Sequence, residues 1–205
     1  MTFDISQKRN YEIGTSASEA LEVCGNELHS AQKTPAFDDV AGIRIALARK
    51  SRAESVSVLT QILADTMTLR DLYKKHHWQT SGATFHELHQ LFDRHYEEQT
   101  GLIDAIAERI QILGGTAIAM AADVAVTTML TLPPRNRETP PAQLARLIDA
   151  HESVLYYVRV ASRRVAEIGD DGTNDLLVSD VIRTNEKQAW FTHELLQGDC
   201  VARMP

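Results

Sequence analysis

The chain has 205 residues, 43% of them hydrophobic, with a formal net charge of −7 and a pI near 5.6. That length suits one domain with a long end and can bury a good core. No apolar run reaches the roughly 18 residues of a membrane span, and the polar start MTFDISQKRN is no signal peptide. Cys24 and Cys200 stand far apart in no metal-binding or redox motif, so a soluble protein of a reducing cytoplasm is expected.

In chain order, residues 1–40 are polar and weakly patterned, and 1–50 read as an N-terminal extension, partly mobile or short-helical around Ser16–Val23, with a break at Lys33-Thr34-Pro35. Lys8, Arg9 and Lys33 are interleaved with Asp4, Glu12, Glu19, Glu22 and Glu27, so this end is not a basic arm. Arg44, Arg49, Lys50 and Arg52 abut a helix start and read as a solvated face.

The first long helix is expected from about Ser51 to Thr80, with Val56, Leu59, Ile62, Leu69 and Tyr73 as its apolar stripe and Thr66 in register. Gly82 breaks the chain. A second helix opens at the Thr-x-x-Glu capping box of Thr84 and Glu87 and runs to Leu113, where Gly114-Gly115 stops it. Its core register is Leu88, Phe92, His95, Gln99, Leu102 and Ile106. The connection 116–138 carries a short helix near Ile118–Thr128. Thr139-Pro140-Pro141 then starts a third helix over about 140–168, with Leu144, Leu147, His151, Val154 and Val158 in its core register. A fourth covers about 173–196 and ends at Gly198, leaving 199–205 as a tail. Scarce glycine and proline agree with an all-α chain, and the long middle connection gives a bundle of up-down-down-up topology over 51–198.

The chemistry gathers between His76 and Gly115. Asp104 and Glu108 lie four apart, on one helix face, and can grip one cation together. His77 and His89 lie across the tight connection. Each has a plainer reading: His77 as a capping residue, His89 as a surface histidine, the carboxylates as partners of Arg109 or lysines. From His89 to Asp104 is 15 residues, about 22 Å along a helix at roughly 1.5 Å per residue. Metal ligands must lie within about 2.0–2.3 Å of the ion. If His77, His89, Asp104 and Glu108 share a site, the histidines of one chain therefore meet the carboxylates of another, and a two-fold pair makes two such sites.

The pattern resembles the Dps family, the twelve-subunit mini-ferritins named for DNA protection in starved bacteria. The matching residues are LADT at 63–66, HW at 77–78, Gly82, Phe85, LH at 88–89, FD at 92–93, Asp104, AER at 107–109 and LGG at 113–115. Periodicity extends the match to roughly 52–196. The resemblance implies a ferritin-like four-helix bundle with a short helix between helices 2 and 3. It implies a ferroxidase that oxidises Fe(II) with hydrogen peroxide or oxygen between two-fold-related subunits and stores ferric mineral in a hollow dodecameric shell. His77, His89, Asp104 and Glu108 are then the iron ligands, Asp93 helps hold a second iron or an iron-bound water, and Trp78 scavenges oxidising equivalents beside the site. Imidazole with carboxylate suits ferrous iron and tolerates the ferric state.

Family members bind DNA through lysine-rich tails, whereas here −7 per chain repels phosphate. A nucleoid-condensing protein with secondary ferroxidase activity, and a helical oligomer with a relict site, are the competing functions. The chain is also unusually rich in histidine. His76 and His86 flank the site as further candidate ligands. His95, His151 and an inward-facing His193 lie near one end of the bundle, and meet there as an additional metal site or as a hydrogen-bonded polar cluster.

Overall fold

The computed structural model of the chain describes residues 40–201, with side chains through residue 197, and every regular element among them is helical. Helices α1 (Arg49–Gln79) and α2 (Phe85–Ile112) form a hairpin. A short helix, α3 (Ala121–Thr127), interrupts the connection to α4 (Pro140–Glu167). The fourth long helix is composite: α5 (Asp171–Asp175), a π-helical segment (Leu176–Ile182) and α6 (Arg183–Val201). The short helix expected at Ser16–Val23, the break at Lys33-Thr34-Pro35 and the side chains of Cys24 and Cys200 lie outside the described residues.

All the expected stripe residues of α1, α2 and α4 are buried, polar members included. Each large aliphatic side chain so placed contributes about 1.5–3 kcal/mol through removal from water. The ends of the helices show how they run. Ser51 Oγ donates to the Ile168 carbonyl at 3.0 Å, which joins the start of α1 to the end of α4. Arg109, near the end of α2, binds Asp170 and Thr173 at the start of α5. Thus α4 runs against α1 and alongside α2, and the fourth helix returns alongside α1. The bundle is up-down-down-up, as its connection lengths suggest.

Two short motifs tie the connections to the bundle. Asp65, buried on α1, accepts from Thr128 Oγ1 at 2.8 Å and from the Met129 amide at 2.7 Å, which straps the segment after α3 across α1. At the end of α2, a Cβ on Gly115 would lie 2.7 Å from both methyls of Val56, so only glycine lets the backbone pack on that core side chain.

Several local expectations fail. Arg52 is 4% exposed rather than solvated, and its guanidinium donates to the Ala41 and Leu113 carbonyls at 2.7 and 2.8 Å. It thereby staples the segment before α1 to the end of α2; Arg44, Arg49 and Lys50 are exposed. The Thr84 capping box does not form: Thr84 sits at φ −96°, ψ 20° and its side chain caps nothing. A capping hydroxyl needs an extended residue behind it. The fourth helix does not stop at Gly198 but continues to Val201, and its π turns were unforeseen. His193 is exposed, near the amide of Gln197 at 3.4 Å, because the inward face of α6 belongs to Asn185, Gln188 and Thr192.

Candidate metal centre

The α1–α2 turn brings His77 and His89 together. Gly82, at φ +102°, makes the reversal that sets the two helix ends side by side. The imidazoles stack with centroids 3.7 Å apart and planes 22° from parallel, and Phe85 packs on His89 at 5.0 Å. The pair is reciprocal. His77 Nδ1 lies 2.8 Å from the His89 carbonyl, and His89 Nδ1 lies 3.0 Å from the His77 carbonyl. A carbonyl only accepts, so each Nδ1 carries the hydrogen and donates it, which leaves each Nε2 with its lone pair. The His77 carbonyl is in the last turn of α1, where helical partners run out, so His89 also satisfies an orphan acceptor.

Among the described residues no hydrogen bond occupies either Nε2. Orientation through Nδ1 is how metal-binding imidazoles are commonly held. The plain reading of His77 as a helix cap is half right, since it donates to a carbonyl, though across the hairpin.

Asp93 joins this end of the hairpin, with Oδ1 3.9 Å from His77 Nδ1 and 2.6 Å from Lys74 Nζ. The Lys74 ammonium holds the Asp93 carboxyl below the usual carboxylate range, with smaller help from the two histidines. Lys74 also lies 4.4 Å from the centroid of the Tyr96 ring. Trp78 is 70% exposed beside His77 in sequence.

Asp104 and Glu108 lie further along α2, exposed, with no hydrogen bond or ion pair among the described residues. Arg109, their expected competitor, turns instead to Asp170 and Thr173. One chain therefore brings His77, His89 and Asp93 together and holds Asp104 and Glu108 apart from them. Among the described residues of a single chain, no group of three or more His, Cys, Asp or Glu side chains could hold a metal ion.

The other histidines divide. His86 is exposed and makes no polar contact among the described residues. His76 is fully buried with neither ring nitrogen partnered, and burial pushes its pKa down to about 4. It points into the bundle near Phe92 rather than toward His77 and His89. His95 and His151 are buried around Tyr73, but with His193 outside they form no triad.

A family model for the ferritin-like domain matches residues 56–199. The structure of DpsC from Streptomyces coelicolor superimposes with a TM-score of 0.79 at 48% identity, covering 80% of this chain and 96% of that one. An uncharacterised protein from the bpoA2 5′ region of Kitasatospora aureofaciens is 46% identical over 65% of this chain and 89% of its own. The DNA protection during starvation protein of Agrobacterium fabrum is 29% identical over 74% of this chain and 93% of its own. The chain belongs to the Dps family. Membership places it among ferritin-like proteins of iron storage or DNA protection, and implies iron binding. No described helix is long and apolar enough to cross a membrane.

Three residues around these side chains carry no signal in the sequence pattern read above. Lys74 sits one turn before His77, so the α1–α2 hairpin carries its ammonium to Asp93. Phe85, noted only as a family match, holds a histidine ring. Asp170 caps α5 through the Thr173 amide at 3.1 Å and anchors Arg109, a pairing across 61 residues that no local pattern signals.

Proposed function

We propose that the chain is a Dps-type ferroxidase and iron-storage protein. It oxidises Fe(II) with hydrogen peroxide or oxygen at sites shared by two-fold-related subunits, and keeps the ferric product inside a hollow shell of twelve. Two imidazoles with free Nε2 atoms, and two unpaired carboxylates that begin about 22 Å beyond His89 along α2, carry this reading. Each half is a ready ligand set and neither is complete, so an antiparallel second copy supplies what the first lacks.

His77 and His89 bind the incoming Fe(II) through Nε2, held by their carbonyl bonds. Asp104 and Glu108 of the facing copy neutralise its charge. The open coordination positions take the oxidant, so electrons leave the metal directly. Asp93 offers a second, weaker cation position against the Lys74 ammonium. Trp78, exposed beside His77, gives up an electron to any oxidant that escapes the metal. A net charge of −7 per chain draws cations toward the shell and repels phosphate, which weighs against the alternative of a DNA-condensing protein with secondary ferroxidase activity.

Subunit mixing tests the shared site. The pairs His77→Ala/His89→Ala and Asp104→Asn/Glu108→Gln should each lose Fe(II) oxidation by about a hundredfold or more. After dissociation and random reassociation, every mixed pair contains one intact site, so roughly a quarter of wild-type activity should return. Both variants active alone, or no recovery on mixing with correct assembly, refutes the shared site. Wild-type protein that oxidises iron no faster than buffer leaves the relict oligomer as the function.

A further inference from the structure

The bundle core holds an assembly that iron binding does not use. Tyr73 and His151 are both 0% exposed, and the Tyr73 hydroxyl lies 2.5 Å from His151 Nε2. His151 Nδ1 lies 3.0 Å from Asn185 Oδ1. The Asn185 amide is oriented by its Nδ2, which donates to the Val181 carbonyl at 2.8 Å, and by Gln99 Nε2, which donates to Oδ1 at 3.2 Å. Asn185 Oδ1 can only accept, so His151 Nδ1 carries the hydrogen and Nε2 accepts from the phenol. Val181 belongs to the π-helical segment, a rare geometry frequently kept at functional sites. Burial raises the Tyr73 pKa and pushes that of His151 down to about 3, so at rest the phenol keeps its proton and the imidazole is neutral.

Tyr73 is also one end of a row of rings. Its centroid is 5.1 Å from His95 edge-on; His95 is 6.3 Å from Phe191; Phe191 is 5.1 Å from Trp190. Trp190 is 60% exposed. The row links a fully buried, oxidisable phenol to an indole at the surface.

We infer that Tyr73 is a redox-active tyrosine, with His151 as its proton acceptor, that takes up oxidising equivalents captured by Trp190. A one-electron oxidant of the hydroxyl-radical class removes an electron from the Trp190 indole and leaves its radical cation. An electron then passes from Tyr73 along the packed rings to Trp190. A phenol that has lost an electron is a strong acid, so its O–H bond breaks and the proton goes to His151 Nε2. The products are neutral Trp190, the Tyr73 phenoxyl radical and the His151 imidazolium; charge is conserved. Asn185 Oδ1, already accepting from Nδ1–H, shares the new positive charge. The phenoxyl is then enclosed by the bundle, where it cannot couple to another chain. A purely structural Tyr73–His151 bond would transfer no electron.

Pulse radiolysis tests this without any metal, so its outcome is separate from that of the ferroxidase reading. The chain has two tryptophans, so Trp78→Phe leaves Trp190 as the sole indole. Azide radicals should produce an indolyl absorption that decays as a phenoxyl absorption rises, at one first-order rate independent of protein concentration. Tyr73→Phe in that background should abolish the rise. His151→Phe should slow it about a hundredfold, the usual worth of a positioned proton acceptor. Trp190→Phe, at the surface, should remove the concentration-independent rise with the fold intact, which covers the case in which either core variant fails to fold. No indolyl signal at Trp190, an undiminished rise in Tyr73→Phe or Trp190→Phe, or an unchanged rate in folded His151→Phe overturns the assignment.

Discussion

Two pairs of histidines, His77 with His89 and His95 with His151, lie within a few helical turns of one another and do opposite things. In the first pair each ring spends Nδ1 on a backbone carbonyl and keeps Nε2. In the second, His151 spends both nitrogens, on Tyr73 and Asn185, and His95 has a buried Nδ1 with no partner. The first pair sits at the rim of the hairpin and the second at the centre of the bundle. A histidine becomes a ligand not by its neighbours in sequence but by having one nitrogen engaged, the other free, and a path for an ion to reach it.

Alanine at each pair is the widest separation of the two roles. His89→Ala should weaken Fe(II) or Co(II) binding by about a hundredfold. Unfolding free energy should change within about 1 kcal/mol, as for other partly exposed positions. His151→Ala should show the reverse: a loss of about 3 kcal/mol from the cavity and the stranded Tyr73 hydroxyl, with metal affinity retained. Denaturant titration beside calorimetric metal binding reads both. Equal destabilisation by the two changes would break the distinction.

Acid sharpens the same contrast. Burial first, and the nearby His95 next, overcome the Asn185 bond and hold His151 neutral down to about pH 3, whereas an unperturbed histidine has a pKa near 6.5. Between those values the unfolded chain binds a proton that the folded chain refuses. The stabilising contribution is therefore present above about pH 6.5 and lost as pH falls toward 3, at up to about 1.4 kcal/mol per pH unit. His151→Gln should flatten the pH dependence of stability by that slope. An unaltered slope would mean that the imidazole is already charged in the fold.

The bundle was legible because its stripes are long and regular: once Val56, Leu59, Ile62, Leu69 and Tyr73 are seen at helical spacing, their burial follows. His77 and His89 were legible as a pair, since only a tight hairpin lies between them. Their mode of support was not, because a carbonyl partner leaves no mark in the side-chain sequence. Helix α6 was misread for a related reason. Its buried face is Asn185, Gln188 and Thr192, polar residues that look like a solvent face, so His193 was turned inward in their place. Those residues are buried because they satisfy one another: Gln99 bridges Asn185 and Gln188 at 3.2 and 2.9 Å. Hydroxyl caps also misled. Thr139 is suitably extended, but Pro141 removes one of the two amides that its side chain would use.

The smallest expected effect concerns the boundary between the two environments, where Lys74 reaches from beside Tyr73 to the rim. Its ammonium lies 2.6 Å from Asp93 Oδ1, in the place a second cation would take beside His77. Both side chains are partly exposed, so the pair is worth only up to about 1 kcal/mol. Lys74→Met should remove the competitor, keep most of the packing on Tyr96, and tighten binding of a second Co(II) by about fivefold. The first ion, which the proposal gives to Nε2 of His77 and His89, should bind as before, because Lys74 touches neither nitrogen. If Lys74→Met weakened the first ion instead, the ammonium would be fixing Asp93 in a position that the histidine site needs, and the rim would depend on its charges as closely as the core depends on Asn185.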